Sequence, residues 1–153
     1  MDRREALSVL VALGSMAWGT EASAEHEPLA VVMKHNVLKR ALSPSELHAI
    51  FTTRLKDVDG QRVIPFNYAA RSELRVVFDR AVLHMDPDEV ARYWIDRRVR
   101  GGAPPPKQVS SAKVMLAVAA KLRSAIGYVP EKMVNDRVQV VARIINGKVV
   151  GPA

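Results

Sequence analysis

Residues 124–129 read Ser-Ala-Ile-Gly-Tyr-Val, and this short apolar run is the segment on which the fold class depends. A continuous apolar run of this length, with β-branched and aromatic residues, is typical of a buried strand. Residues 28–33 (Pro-Leu-Ala-Val-Val-Met) and 138–143 (Val-Gln-Val-Val-Ala-Arg) have the same character, and residues 62–67 (Arg-Val-Ile-Pro-Phe-Asn) are a further candidate. These four segments predict a sheet with a buried centre.

Helix-start signals lie between the predicted strands. Residues 43–46 (Ser-Pro-Ser-Glu) combine a serine N-cap, a proline at the first helical position and a glutamate three residues after the cap, which is a capping box. Residues 86–89 (Asp-Pro-Asp-Glu) repeat this pattern, and Ser72 and either Ser110 or Ser111 are further N-cap candidates. Apolar stripes at helical spacing follow three of these starts: Leu47, Ile50 and Phe51; Leu74, Val77, Phe78, Ala81 and Val82; and Val90, Tyr93, Trp94 and Val99.

Two connections carry their own signals. Residues 100–107 (Arg-Gly-Gly-Ala-Pro-Pro-Pro-Lys) predict a stiff loop that no helix or central strand accepts. Asn146-Gly147 between apolar pairs predicts a tight hairpin near the end of the chain. Strands that alternate with helices in this way predict one α/β domain, with a sheet covered by helices.

The first 24 residues have the order of a secretory signal peptide. Arg3-Arg4 form a basic start, an apolar run extends from Ala6 to Trp18, and Ala22-Ser23-Ala24 supplies small residues for cleavage. We therefore expect cleavage after Ala24, by the Sec or the twin-arginine route, to leave residues 25–153 as a single periplasmic domain. Removal of two arginines and three acidic residues raises the net charge from +7 to +8, which favours an anionic partner.

The residue types exclude several classes of site. The chain has no cysteine, so disulfides, thiolate metal centres, cysteine nucleophiles and a lipidated cysteine are excluded. Its four histidines are not paired at metal-binding spacing, and its glycines match neither a phosphate loop nor a dinucleotide fingerprint. No nucleophile elbow is present. We therefore predict no catalytic residues, no metal, no cofactor and no enzymatic activity.

Arginines and aromatic residues are close together in one predicted helix. Arg92, Arg97, Arg98 and Arg100 accompany Tyr93 and Trp94, a combination that holds single-stranded nucleic acid in some proteins. The two aromatic residues also have the spacing of an apolar helix face, which favours packing in the core. Because an exported protein rarely meets nucleic acid, we predict no nucleic-acid partner.

Five polar residues surround the predicted helix start after the second strand: Asn67, Tyr68, Arg71, Ser72 and Arg75. Free backbone N–H groups and the positive end of the helix dipole make such a start suited to phosphate or a similar oxyanion. A serine hydroxyl donates one hydrogen bond, and arginine adds a charge-assisted contact. Plain capping by Ser72 with solvated arginines is the alternative interpretation of the same residues.

The order of motifs along residues 29–141 resembles a known family. The motifs are Leu42-Ser43-x-x-Glu46-Leu47-x-x-Ile50-Phe51, then Gly60-Gln61-Arg62-Val63, then Ser72 with Phe78 six residues later, then Tyr93-Trp94, then the loop at 101–106, and then Ala125-Ile126-Gly127-Tyr128-Val129. This order is similar to that of the phosphate-type periplasmic substrate-binding proteins of ABC importers, in their short single-lobe form.

The resemblance implies a single lobe of the type 2 periplasmic-binding-protein fold, with a mixed sheet covered by helices. It also implies a solute-binding-like function, phosphate or another small oxyanion as ligand, and an ABC permease as partner. Full-length members open the corresponding helix with Arg-x-x-x-Ser-Gly-Thr. This chain has Tyr68 at the arginine position, keeps Ser72, and has Glu73 and Leu74 in place of Gly and Thr.

These departures leave two further hypotheses open. One is an envelope protein–protein interaction module that has lost ligand capture, because a carboxylate at Glu73 repels an anion and Leu74 donates no side-chain hydrogen bond. The other is adhesion to an anionic surface through the net charge of +8, which moderate salt should abolish.

Overall fold

The computed structural model describes residues 26–153, so the expected signal peptide at residues 1–24 lies outside the described residues. Within that part of the chain, four α-helices, one 3-10 helix at Glu131–Met133 and eight strands are formed. The helices are α1 (Pro44–Phe51), α2 (Glu73–Val82), α3 (Pro87–Val99) and α4 (Ala112–Lys121). The strands are β1 (Leu29–Lys34), β2 (Asp57–Val58), β3 (Gln61–Arg62), β4 (Ile64–Asn67), β5 (Lys107–Gln108), β6 (Ala125–Pro130), β7 (Val138–Ile145) and β8 (Lys148–Val150).

Six strands form one mixed sheet in the order β5-β4-β6-β1-β7-β8. Strand β1 is antiparallel to both of its neighbours, β6 and β7, and β8 pairs with β7 as an antiparallel edge. Strands β5, β4 and β6 run parallel to one another. The predicted α/β fold with a mixed sheet is confirmed.

Helices cover both faces of the sheet at β6, and the alternation of side chains along this strand shows how. A Cβ atom at Gly127 would lie 2.2 Å from Sδ of Met115, so α4 packs closely on the face to which Gly127 belongs. The next side chain, Tyr128, points to the opposite face. There its ring meets Phe51 of α1 and Phe78 of α2. This two-sided cover explains why every residue of β6 is buried.

The helix starts agree with the sequence patterns. Ser43 and Glu46 form the predicted capping box at α1, and Asp86 and Glu89 form the second one at α3. Ser111, one of the two candidates, caps α4. At the hairpin between β7 and β8, Asn146 and Gly147 have φ of 50° and 74°, as the tight turn requires. These local predictions are confirmed.

Three sequence-based expectations need correction. The predicted strand at residues 62–67 is interrupted at Val63, so its first part pairs with β2 in a separate two-stranded ribbon and only β4 enters the main sheet. The loop at residues 100–107 ends in the two-residue edge strand β5. Val99 does not belong to a buried stripe, because it is 80% exposed. Helix α3 lies at the periphery, and Val90 is its buried residue.

Within residues 26–153, no helix combines the length and the apolar character needed to cross a membrane.

Candidate functional site

The five candidate residues lie at the carboxyl end of β4 and in the first turn of α2. Strand β4 ends at Asn67, and α2 begins one residue after its N-cap, Ser72. Strands β5 and β6 are parallel to β4, so their carboxyl ends lie at the same edge of the sheet. In open α/β sheets, ligands bind beyond the carboxyl ends of the parallel strands.

Asn67 and Tyr68 belong to a buried hydrogen-bond network. Oδ1 of Asn67 accepts the N–H of Tyr68 at 2.9 Å and the hydroxyl of Tyr128. The hydroxyl of Tyr68 donates to the carbonyl oxygen of Tyr128 at 2.5 Å. Burial raises the pKa of Tyr68 and that of Tyr128 above the usual tyrosine range. Both phenols therefore remain neutral donors that fasten β4 to β6.

Arg75 also points into the core. Its Nε lies 3.1 Å from Oδ2 of Asp79, and its Nη1 donates to the carbonyl oxygen of Tyr68 at 3.0 Å. The side chains of Arg75 and Asp79 are only 6% and 4% exposed. A sequence signal for this placement exists, since Arg75 and Asp79 share the helix face of buried Phe78 and Val82. In this arrangement Arg75 positions the β4–α2 connection and is not directed at an external ligand.

Arg71 and Ser72 are the two candidates with solvent access. Ser72 is half-buried, and its hydroxyl accepts the N–H of Arg75 at 3.4 Å as the N-cap of α2. Arg71 has an 81% exposed side chain and lies 3.4 Å from the carboxylate of Asp88. The N–H groups of Glu73 and Leu74, in the first turn, have no intrahelical acceptor. The structure thus separates the five residues into a buried group of three and an accessible pair.

A surface groove of ≈ 330 Å³ starts beside Arg71 and follows one face of α2. Its lining residues are His26, Arg71, Glu73, Val76, Val77 and Arg80. His26 and Arg80 were not among the residues predicted from sequence. Arg80 could have been found, because Glu73, Val76, Val77 and Arg80 have the spacing of a single helix face. The two arginines of this groove attract an anion, and the carboxylate of Glu73 repels it.

Helix α4 also starts at this edge of the sheet, and its start was not predicted from sequence to bind a ligand. Strand β5 ends at Gln108, and Ser111 caps α4 three residues later. Ser110 and Ser111 are both exposed. The positive ends of α2 and α4 therefore follow the carboxyl ends of neighbouring parallel strands. No group of three metal-ligating side chains is present in the part of the chain that the structure describes.

The buried carboxyl group of Asp79 makes stability depend on pH. Burial raises the pKa of Asp79 to about 6, and Arg75 only partly offsets this effect. Oδ1 of the same carboxyl has no hydrogen-bond partner. Because the pKa in the folded protein exceeds the usual 3.8, the contribution of Asp79 is fully present below about pH 4 and is lost as the pH rises through 6.

We expect the free energy of unfolding to increase by about 1 kcal/mol from this group when the pH falls from 7 to 5. Urea titrations at both pH values measure this change. The D79N variant is the control, because an amide does not titrate. A D79N profile as steep as that of the unaltered protein would contradict the assignment to Asp79.

Solved structures with a similar fold are known. No family model matches the chain, and no curated protein matches it. Among solved structures, an ABC-type phosphate transport receptor from Vibrio cholerae superposes with a TM-score of 0.60 and 16% identity, over 75% of this chain and 45% of the receptor. A protein from Clostridium perfringens, described as a phosphate ABC transporter substrate-binding protein with bound phosphate, gives a TM-score of 0.60 and 16% identity, over 81% and 49%.

The chain has the α/β fold of these substrate-binding proteins. It spans less than half the length of either neighbour. At 16% identity the likeness concerns the fold alone.

Proposed function

We propose that this chain is an exported, solute-binding-like domain that binds phosphate or another small oxyanion at the start of α2. The observation that carries the proposal is the groove beside the α2 N-terminus, which holds Arg71 and Arg80. The free N–H groups of the first turn add hydrogen-bond donors and the positive end of the dipole. The fold is that of a protein described as a phosphate transport receptor and of one described as a phosphate ABC transporter substrate-binding protein with bound phosphate. By the same likeness, the partner is an ABC permease.

The proposed site differs from the one expected from sequence. Arg71 and Ser72 remain ligand-binding candidates, and Arg80 and His26 join them from the groove. Asn67, Tyr68 and Arg75 become the buried support of the helix start. Glu73 lowers the affinity for an anion because its carboxylate lines the same groove. We therefore propose weak, millimolar-range binding rather than tight capture.

Phosphate should raise the melting temperature of the protein. At ten times the dissociation constant, a ligand adds about 1.4 kcal/mol of stability, which corresponds to a shift of a few degrees for a domain of this size. Differential scanning fluorimetry across a phosphate titration, at ionic strength held constant with sodium chloride, measures the shift. Sulfate and molybdate titrations test the other oxyanions.

Matched variants test whether the phosphate-dependent rise in melting temperature comes from the groove beside α2. R71A and R80A should each reduce the phosphate-dependent shift, and E73Q should enlarge it by removing the repelling charge. R92A removes an exposed arginine outside the groove and should leave the shift unchanged. An unchanged melting temperature with all three anions, or an equal loss in R92A, would overturn the proposal.

The alternative function is an envelope interaction module that has lost ligand capture. The observation in its favour is that Arg75 is committed to the core while Glu73 lines the groove. The same thermal titration separates the two functions. If none of the anions shifts the melting temperature, the interaction module becomes the better proposal.

A further inference from the structure

Helix α3 exposes most of its surface, away from the groove. Of its thirteen residues, only Val90 is buried. Trp94 and Tyr93 are half-buried, and their rings meet edge to face at 5.0 Å. Because the helix touches the domain along this narrow line, its opposite face has no cover within the part of the chain that the structure describes.

An apolar row runs along that uncovered face. Ala91, Ile95 and Val99 follow one another at intervals of four residues, which places them on a single ridge of the helix. Ile95 is 64% exposed and Val99 is 80% exposed, more than any other large apolar side chain in residues 26–153. Scattered apolar residues are common on protein surfaces, but a row at helical spacing is the pattern of a helix–helix contact.

The charges that border the row are mainly basic. Asp88 and Asp96 are the acidic residues beside it, and both are in ion pairs, with Arg71 at 3.4 Å and with Arg100 at 3.3 Å. Within residues 26–153, Arg92 and Arg98 form no ion pair, although both are exposed. Around the helix these two arginines lie on opposite sides of the apolar row. The row is therefore flanked by uncompensated positive charge.

Helix α3 is held firmly at its C-terminal end, so the row is presented in a fixed orientation. Nη1 of Arg97 donates to the carbonyl oxygen of Thr52, the C-cap of α1. The same guanidinium lies 5.5 Å from the centre of the Trp94 ring and 3.2 Å from the hydroxyl of Tyr93. A rigid face loses little conformational entropy when it binds.

We infer that the outer face of α3 is a docking surface for an acidic amphipathic helix of another protein. The apolar ridge fits the groove between the side-chain rows of such a helix, and Ala91 allows close approach. Glutamate or aspartate on the flanks of the partner's apolar stripe would complement Arg92 and Arg98. The apolar row, Arg92 and Arg98 lie outside the groove at α2, so this inference does not require a bound anion.

Two other occupants fit less well. A second copy of this chain would bring Arg92 and Arg98 against the same charges, which repel. An anionic membrane would satisfy the arginines, but the row offers two large apolar side chains and no leucine or aromatic residue. Helices that lie in a membrane interface carry a much wider apolar face, with Trp, Phe and Leu.

A pair of synthetic helices tests the inference. The first is a fluorescently labelled peptide of about five turns with a leucine stripe flanked by glutamates, and the second has lysine at every flanking position. Fluorescence anisotropy with the full chain at low salt gives both affinities. We expect the glutamate peptide to bind about tenfold tighter or more. I95S/V99S and R92E/R98E should each weaken its binding by a similar factor.

V114S is the matched control, because Val114 is a 39% exposed valine on α4. The V114S variant should bind the glutamate peptide as tightly as the unaltered protein does. Equal binding of the two peptides, or normal binding by I95S/V99S, overturns the inference. So does binding to anionic phospholipid vesicles that requires Ile95 and Val99, which would assign the face to a membrane. Self-association that disappears in I95S/V99S would assign it to a second copy and also overturns the inference.

Discussion

The R75A variant should lose about 3–5 kcal/mol of unfolding free energy, because the substitution leaves a buried carboxylate without its partner. Asp79 is only 4% exposed, and one of its oxygens already has no hydrogen bond. The substitution also removes the donor to the carbonyl oxygen of Tyr68. Small domains have about 5–15 kcal/mol of total stability, so much of the variant should be unfolded at moderate urea concentration. Urea unfolding followed by circular dichroism measures the loss.

The control for R75A is an ion pair of the same kind on the surface. Arg100 and Asp96 are also four residues apart in the chain, but their side chains are 77% and 62% exposed. R100A should therefore cost less than about 1 kcal/mol. Equal effects of R75A and R100A would mean that the burial of Arg75 does not matter for stability.

A double variant separates the cost of the unpaired carboxylate from the cost of the lost hydrogen bond to Tyr68. R75M/D79L replaces both partners by apolar side chains of similar size, and such replacements of buried ion pairs are often neutral or stabilising. We expect it to be markedly more stable than R75A. If R75M/D79L is as unstable as R75A, the cost comes from the lost hydrogen bond to the carbonyl oxygen of Tyr68, which both variants lack, and not from the unpaired carboxylate.

The F78A variant should lose about 3–5 kcal/mol of stability, through a cavity where three elements meet. Phe78 of α2 is fully buried, and its ring stacks on Tyr128 of β6 with the centroids 3.8 Å apart. The ring of Phe51 from α1 meets the ring of Phe78 in an edge-to-face arrangement, with the centroids 4.5 Å apart. Removal of this ring takes contacts from both neighbours at once. Equilibrium urea unfolding gives the free-energy change.

F78L is the informative comparison for F78A. Leucine keeps most of the buried apolar volume but loses the aromatic stacking, which is worth about 0.5–1.5 kcal/mol beyond area burial. F78L should therefore lie between the unaltered protein and F78A. A loss below about 1 kcal/mol for F78A would show that the α1, α2 and β6 contact is not the centre of the core.

The strand and helix segments were largely predictable, because their signals are local. Ser43 and Glu46 each satisfy a backbone N–H within three residues, so the start of α1 needs no information from the rest of the chain. The Asn146-Gly147 turn is equally local, since both residues tolerate positive φ. Strands β2 and β5, by contrast, have two residues each. Such short segments have no periodicity, and only their partners define them.

The candidate site was predictable in position but not in the role of each residue. The helix start after β4 follows from Ser72, which caps α2 as expected. Whether Arg71 or Arg75 faces solvent depends on the packing of α2 against the sheet and α1. The groove depends in the same way on Arg80 and on His26, which lies far from α2 in the chain.

The sequence alone determined where the elements begin, because caps and turns involve backbone groups only a few residues apart. Only the tertiary structure decided how deeply the polar side chains of each helix are buried. Arg75–Asp79 and Asp96–Arg100 are both arginine–aspartate pairs at a separation of four residues. The first is enclosed because α2 packs under Phe51 and Tyr128, and the second stays in solvent because α3 lies at the periphery. The dielectric environment, which the four-residue spacing of a pair does not encode, therefore separates a core ion pair from a surface one.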